Sequence, residues 1–81
     1  MTNKDKHVLG FWYGKLIELV TIEQEPVSSG QLARHVGQSR STAKKYLLRL
    51  VGEGHVERFQ TRYPNGLLGD VYAPHSDVIL S

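Results

Sequence analysis

SRSTAKKYLLRLVGEGHVER, residues 39–58, reads as a basic helix running directly into a strand. On a 3.6-residue period Ala43, Tyr46, Leu47, Leu50 and Val51 share one side, while Ser41, Lys45 and Leu48 point the other way. Lys44 and Arg49 flank that outer line, Arg40 sits in the first turn, and Ser39 is a good N-cap. A surface helix needs one apolar stripe. It does not need Arg40, Lys44, Lys45 and Arg49 on and around its outer face with no acid anywhere between positions 40 and 49. That asymmetry points to an anionic partner.

Immediately upstream lies PVSSGQLARHVG. Pro26 ends what precedes it, because the residue before a proline is pushed away from helical angles, and Val27 becomes a short extended step. Ser28 followed by Gln31 is a capping box opening a helix from about Ser29 to Val36, with Leu32, Ala33 and Val36 inward. Gly37 supplies a left-handed stop. Only Gln38 and Ser39 then separate the two helices, which is a helix-turn-helix arrangement. Downstream, Gly52 and Gly54 end the basic helix. Val56 to Tyr63 alternates, with Phe59, Thr61 and Tyr63 on one side and Arg58, Gln60 and Arg62 on the other. YPNG is a turn signal, and residues 70–73 return as the partner strand of a hairpin whose loop spans Pro64 to Gly69. Pro74 closes the hairpin.

The N-terminal part reads as one long helix from Thr2 to Glu23, with Thr2 and Asp5 as a capping box and Leu9, Trp12, Tyr13, Leu16, Leu19 and Val20 on one face. Val8, Phe11 and Ile22 lie toward the side that ought to be polar. Two readings follow: the C-terminal segment HSDVILS covers them, as a strand or flap on this helix, or Val8, Phe11, Lys15 and Ile22 form the interface of a homodimer. Trp12, Tyr13 and Tyr46 fall on apolar helix faces and are expected in the core rather than stacked on bases.

Charge is distributed unevenly. The formal net charge is +2, but residues 1–25 carry −1, residues 26–63 carry +5 and the remainder −2. The chain has no cysteine, which removes disulfides and thiol chemistry. It has no apolar run of membrane-spanning length and no signal-like start, so a cytoplasmic protein without membrane association is expected. His7, His35, His55 and His75 are spread with no two at metal-ligand spacing, so no metal site is expected. His75, Ser76 and Asp77 adjoin too closely to form a nucleophile–base–orienter line, and nothing else resembles a catalytic constellation. The expectation is a non-enzyme without cofactor or small-molecule ligand. With 81 residues, there is room for one core, and a chain this small buries only about 60% of its unfolded surface.

From Pro26 to Ala73 the elements and residues resemble the winged helix-turn-helix domains of prokaryotic transcription regulators, the MarR-like and related groups. The pieces that carry the resemblance are PVSSGQLARHVG, SRSTAKKYLLRL and EGHVERF, with the Leu-Ala pair, the Leu-x-x-Leu spacing and the Gly-x-Val after the helix at the expected intervals. It implies an α+β fold of three helices and a C-terminal β-hairpin wing, occupying 1–81 as a single domain: helix 1 at 1–25, the helix-turn-helix at 26–54, the wing at 55–74 and a tail at 75–81. It also implies that the helix at 39–52 enters the major groove of double-stranded DNA while the wing touches the flanking backbone. Two departures stand out. His55 occupies a position that is usually apolar, and the wing tip PNGLLG is uncharged, which turns attention from the tip to Arg58 and Arg62 at the wing's base as phosphate contacts.

The expected DNA-binding set is therefore Gln38, Arg40, Ser41, Thr42, Lys44, Lys45, Arg49, Arg58 and Arg62. Gln38 and Thr42 are placed to meet phosphates, and Arg40, Ser41 and Lys45 to read base edges. Leu48 is a candidate for a thymine methyl. The alternative is a winged-helix protein-interaction module, an adaptor or anti-regulator, using helix 1 and Leu67–Leu68 and not binding DNA.

Overall fold

In the computed structural model, which describes residues 3–75, three helices precede a two-stranded hairpin: α1 (Asn3–Glu23), α2 (Ser29–Val36), α3 (Arg40–Gly52), β1 (Val56–Arg62) and β2 (Leu68–Pro74). This is the α+β winged helix-turn-helix architecture.

The joints follow the local signals. Ser28 Oγ accepts from the Gln31 N–H and the Gln31 side chain accepts from the Ser28 N–H, so the capping box that opens α2 is complete. Gly37 closes α2 at φ 83°, a left-handed conformation that costs glycine little, and its N–H donates to the Ala33 carbonyl. Ser39 then caps α3, its Oγ accepting from the Thr42 N–H at 3.2 Å. α3 extends through Gly52, and the left-handed residue after it is Gly54. Residues 1–2, including the Thr2 cap, and the segment 76–81 expected to pack on α1 lie outside the described residues.

Leu9, Trp12, Leu16 and Leu19 of α1, Leu32 and Ala33 of α2, and Ala43, Leu47 and Leu50 of α3 meet in a single buried cluster. The Trp12 and Tyr46 rings stack at 5.5 Å and 19°, joining α1 to α3; such a pair adds about 0.5–1.5 kcal/mol beyond area burial. The aromatic helix residues thus serve packing, as their periodicity requires.

The hairpin runs antiparallel in the register Val56↔Pro74 through Arg62↔Leu68. Its YPNG turn closes with the Gly66 N–H donating to the Tyr63 carbonyl at 2.8 Å, and Gly66 sits at φ 88°. β2 reaches further at both ends than expected, from Leu68 to Pro74, whereas β1 stops at Arg62, one residue short of Tyr63, so the connection is residues 63–67 rather than 64–69. The base of the hairpin belongs to the core. Val56 and Tyr72 are buried, and Val27 exchanges both backbone hydrogen bonds with Tyr72, forming a one-residue third rung. His55, at the helix–strand junction, is exposed, and Val56 fills the buried position beside it. The junction therefore keeps an apolar plug at Val56.

Along α1, Phe11 and Ile22 are exposed as expected, with Lys15 between them bridging to Glu18 at 3.4 Å. Val8 differs. It is half-buried against the core cluster, because it lies one turn before Trp12 and shares that side, and Ile17 stands on the exposed side instead.

Candidate nucleic-acid interface

α3 presents two distinct polar surfaces. Ser41, Lys45 and Leu48 are exposed along the outer line, directly opposite the buried Ala43, Leu47 and Leu50. The Lys45 ammonium lies 5.4 Å from the Tyr46 ring centroid, a cation–π position that a long flexible stem leaves easily. Arg49, half-buried, marks one flank. Arg40 and Lys44, one turn apart, mark the other, which faces the α2 N-terminus and the wing.

Between these elements is a notch of about 220 Å³, bordered by Ser29, Arg40, Lys44, Asp70, Tyr72 and Tyr63. Arg40 runs along the first turn of α2. A Cβ at Gly30 would meet its Cδ and Nε at 4.0 Å, an ordinary van der Waals contact.

The remaining site residues fall at the ends of this surface. Gln38 is exposed in the turn. Thr42 is drawn into the α3 cap, its Oγ1 accepting from the Ser39 hydroxyl at 2.8 Å, which leaves its own O–H to donate elsewhere. Arg58 is exposed on β1. Arg62 donates from Nη1 to the Gly66 carbonyl at 3.4 Å, which directs its guanidinium along the wing tip. Sequence reasoning missed Ser29 and Tyr72. No local pattern marks them, because they become neighbours of Arg40 only once residue 27 pairs with residue 72.

Three helices, a capped turn and a hairpin whose base enters the core, with an acid-free basic helix on the surface, define a winged helix-turn-helix DNA-binding domain. The model of the IclR helix-turn-helix domain matches residues 14–58, more than half of the chain, from mid-α1 to the start of the wing. The chain belongs to the IclR helix-turn-helix domain family, a winged-helix family of transcription regulators to which the MarR-like group is a sibling. No curated protein and no solved structure matches it. No helix among the described residues is long and apolar enough to cross a membrane.

Proposed function

We propose that the chain is a sequence-specific transcription regulator of double-stranded DNA that places α3 in the major groove, with Ser41, Lys45 and Leu48 toward base edges. Arg49 and Arg58 contact phosphates on either side, and Gln38 and Thr42 hydrogen-bond the backbone at the entrance to the groove. The observation that carries this reading is the outer face of α3: it is exposed and basic, and the same helix is fixed from behind by fully buried Ala43 and Leu47. A helix so anchored offers its side chains from a rigid base, which readout of base edges requires. We read the chain as a single cytoplasmic domain that chemistry does not use as an enzyme, and as a homodimer through the α1 strip containing Phe11, Lys15 and Ile22.

Selection of bound sequences from random duplexes tests this. Enrichment of a motif, with affinity whose logarithm falls with log salt by about 0.9 per phosphate contact, is the expected result. A two-fold motif with half-sites about one helical turn apart reports the dimer. A folded chain with no salt-dependent DNA binding sinks the reading and leaves the protein-interaction module in its place. Sedimentation as a monomer at tens of micromolar removes the dimer alone.

A further inference from the structure

Lys6, Leu9, Gly10 and Tyr13 fall on one stripe of α1, at intervals of three and four residues. Between that stripe and Leu50, Glu53 and His55, where α3 gives way to β1, lies a groove of about 320 Å³, at the small end of the range in which ligand sites fall. Its apolar members Leu9 and Leu50 are only 5% and 2% exposed, and a Cβ at Gly10 would meet nothing within 4 Å, so the α1 side stays open. Its polar groups are unspent. Among the described residues the Tyr13 hydroxyl is the one buried side-chain polar atom without a hydrogen-bond partner, whereas such groups in folded proteins are almost always paired. Lys6 and Glu53 border the groove with opposite charges; both are exposed, and neither forms an ion pair among the described residues.

A cation, an anion, a hydroxyl able to donate and an apolar floor are together complementary to a molecule that carries a carboxylate, an ammonium group and a hydrocarbon side chain. We propose that the groove binds a free α-amino acid with an apolar side chain of the size of leucine or phenylalanine. The side chain lies on Leu9 and Leu50 beside the bare backbone of Gly10, the carboxylate accepts from Lys6 and from the Tyr13 hydroxyl, and the ammonium donates to Glu53. Because the Tyr13 hydroxyl is closed to solvent, the carboxylate reaches it by displacing the exposed His55 ring, whose centroid lies 6.0 Å from that of Tyr13. A fatty acid would meet Lys6 but set its hydrocarbon end against an unanswered Glu53, and an alkylamine would do the reverse with Lys6. The groove shares no residue with the outer face of α3, so the site stands apart from the DNA-binding reading.

NMR titration of the full chain with leucine and with phenylalanine tests the site. Saturable shifts centred on Gly10, Tyr13, Leu50 and His55 are expected, while glycine, which lacks the hydrocarbon, should produce none. 4-Methylpentanoate, which is leucine without its ammonium, and 3-methylbutylamine, which is leucine without its carboxylate, should each bind about tenfold more weakly, the loss of one charge-assisted contact. Glu53→Gln should abolish the preference for leucine over 4-methylpentanoate, and Lys6→Gln the preference for leucine over 3-methylbutylamine. Tyr13→Phe should weaken leucine binding about tenfold without lowering the Tm of the free chain, since it removes a hydroxyl that has no partner there. Gly10→Leu, in the middle of a helix and pointing into open space, should keep the fold and abolish binding. The proposal is overturned if neither amino acid shifts these resonances at about 10 mM, where a Kd of about 1 mM would be near saturation. Equal binding of leucine and its two truncated analogues also overturns it. So do nuclear Overhauser contacts in the free chain between the Tyr13 ring and the methyls of residues 78–80, which would make the chain's own C-terminal residues the occupant.

Discussion

The two ends of the hairpin are built on different principles. At its base Val56 is 3% exposed and Tyr72 is bridged to Val27, so backbone pairing and core packing fix the same residues. At its tip Leu67 is 65% exposed, and order comes from local contacts: the Tyr63–Gly66 turn bond, the Asn65 Oδ1 that accepts from the Leu67 N–H, and the Tyr63 ring lying over Gly69. The base therefore shares the fate of the helical core, whereas the tip is free to respond to what it touches. A platform that must present α3 at a fixed angle belongs with the first principle, and a wing that adapts to a backbone belongs with the second.

The sharpest break of that distinction is a cavity in the platform. Leu47 is fully buried on the inner face of α3, opposite the exposed Lys45 and Leu48. Leu47→Ala should cost about 2–5 kcal/mol, the range for truncating a buried leucine, and in so small a domain that is a large share of total stability. Chemical denaturation should show the helical signal and the wing-base Tyr72 environment lost together at a lower midpoint. If Tyr72 kept its environment after the helices melted, the base of the hairpin would not belong to the platform.

A milder change separates the tip. A Cβ at Gly69 would run into the Tyr63 ring, so Gly69→Ala should expel that ring from its seat beside the notch. Because Tyr63 and its neighbours at the tip are exposed, global stability should change by less than about 0.5 kcal/mol, as for surface substitutions elsewhere. NMR should show shifted Tyr63 ring resonances with the Leu47 and Trp12 signals unmoved. Core signals that moved as well would mean the tip is coupled to the platform after all.

The same contrast explains what the sequence made legible. The capping box at Ser28 and Gln31, the left-handed Gly37 and the Ser39 cap act within four residues, so their chemistry is visible before any fold exists. The YPNG turn is visible for the same reason. The extent of β2 is set by its register against β1, and the burial of Tyr72 by a bridge to a residue 45 positions away, neither of which leaves a periodic trace. The basic face of α3 was legible as charge, but the approach of the Arg40 stem to Gly30 is a relation between two helices that no local pattern marks. Val8 was misplaced for a related reason: on a helix apolar around much of its circumference, periodicity does not say which apolar side the core takes.

The smallest expected effect concerns a surface tie between two platform helices. Glu18 on α1 accepts from the His35 ring of α2 at 3.0 Å and pairs with Lys15 at 3.4 Å. The His35 hydrogen bond first, then the Lys15 contact, hold the Glu18 carboxyl below its ordinary value of 4.5. A carboxyl whose folded value is depressed stabilises the native state above its unfolded value, and that contribution disappears as pH falls through the folded value. The loss should therefore begin near pH 4.5 and be complete only below the depressed value, with no effect at neutral pH. Glu18 is exposed, so solvent screening keeps the effect small. In a pH series of thermal melts, Glu18→Gln should track the wild type with a slightly lower Tm at pH 7, and the two curves should converge in acid. Curves that stayed parallel down to pH 3 would mean that the carboxylate charge does not help hold α1 to α2, leaving that junction to apolar packing alone.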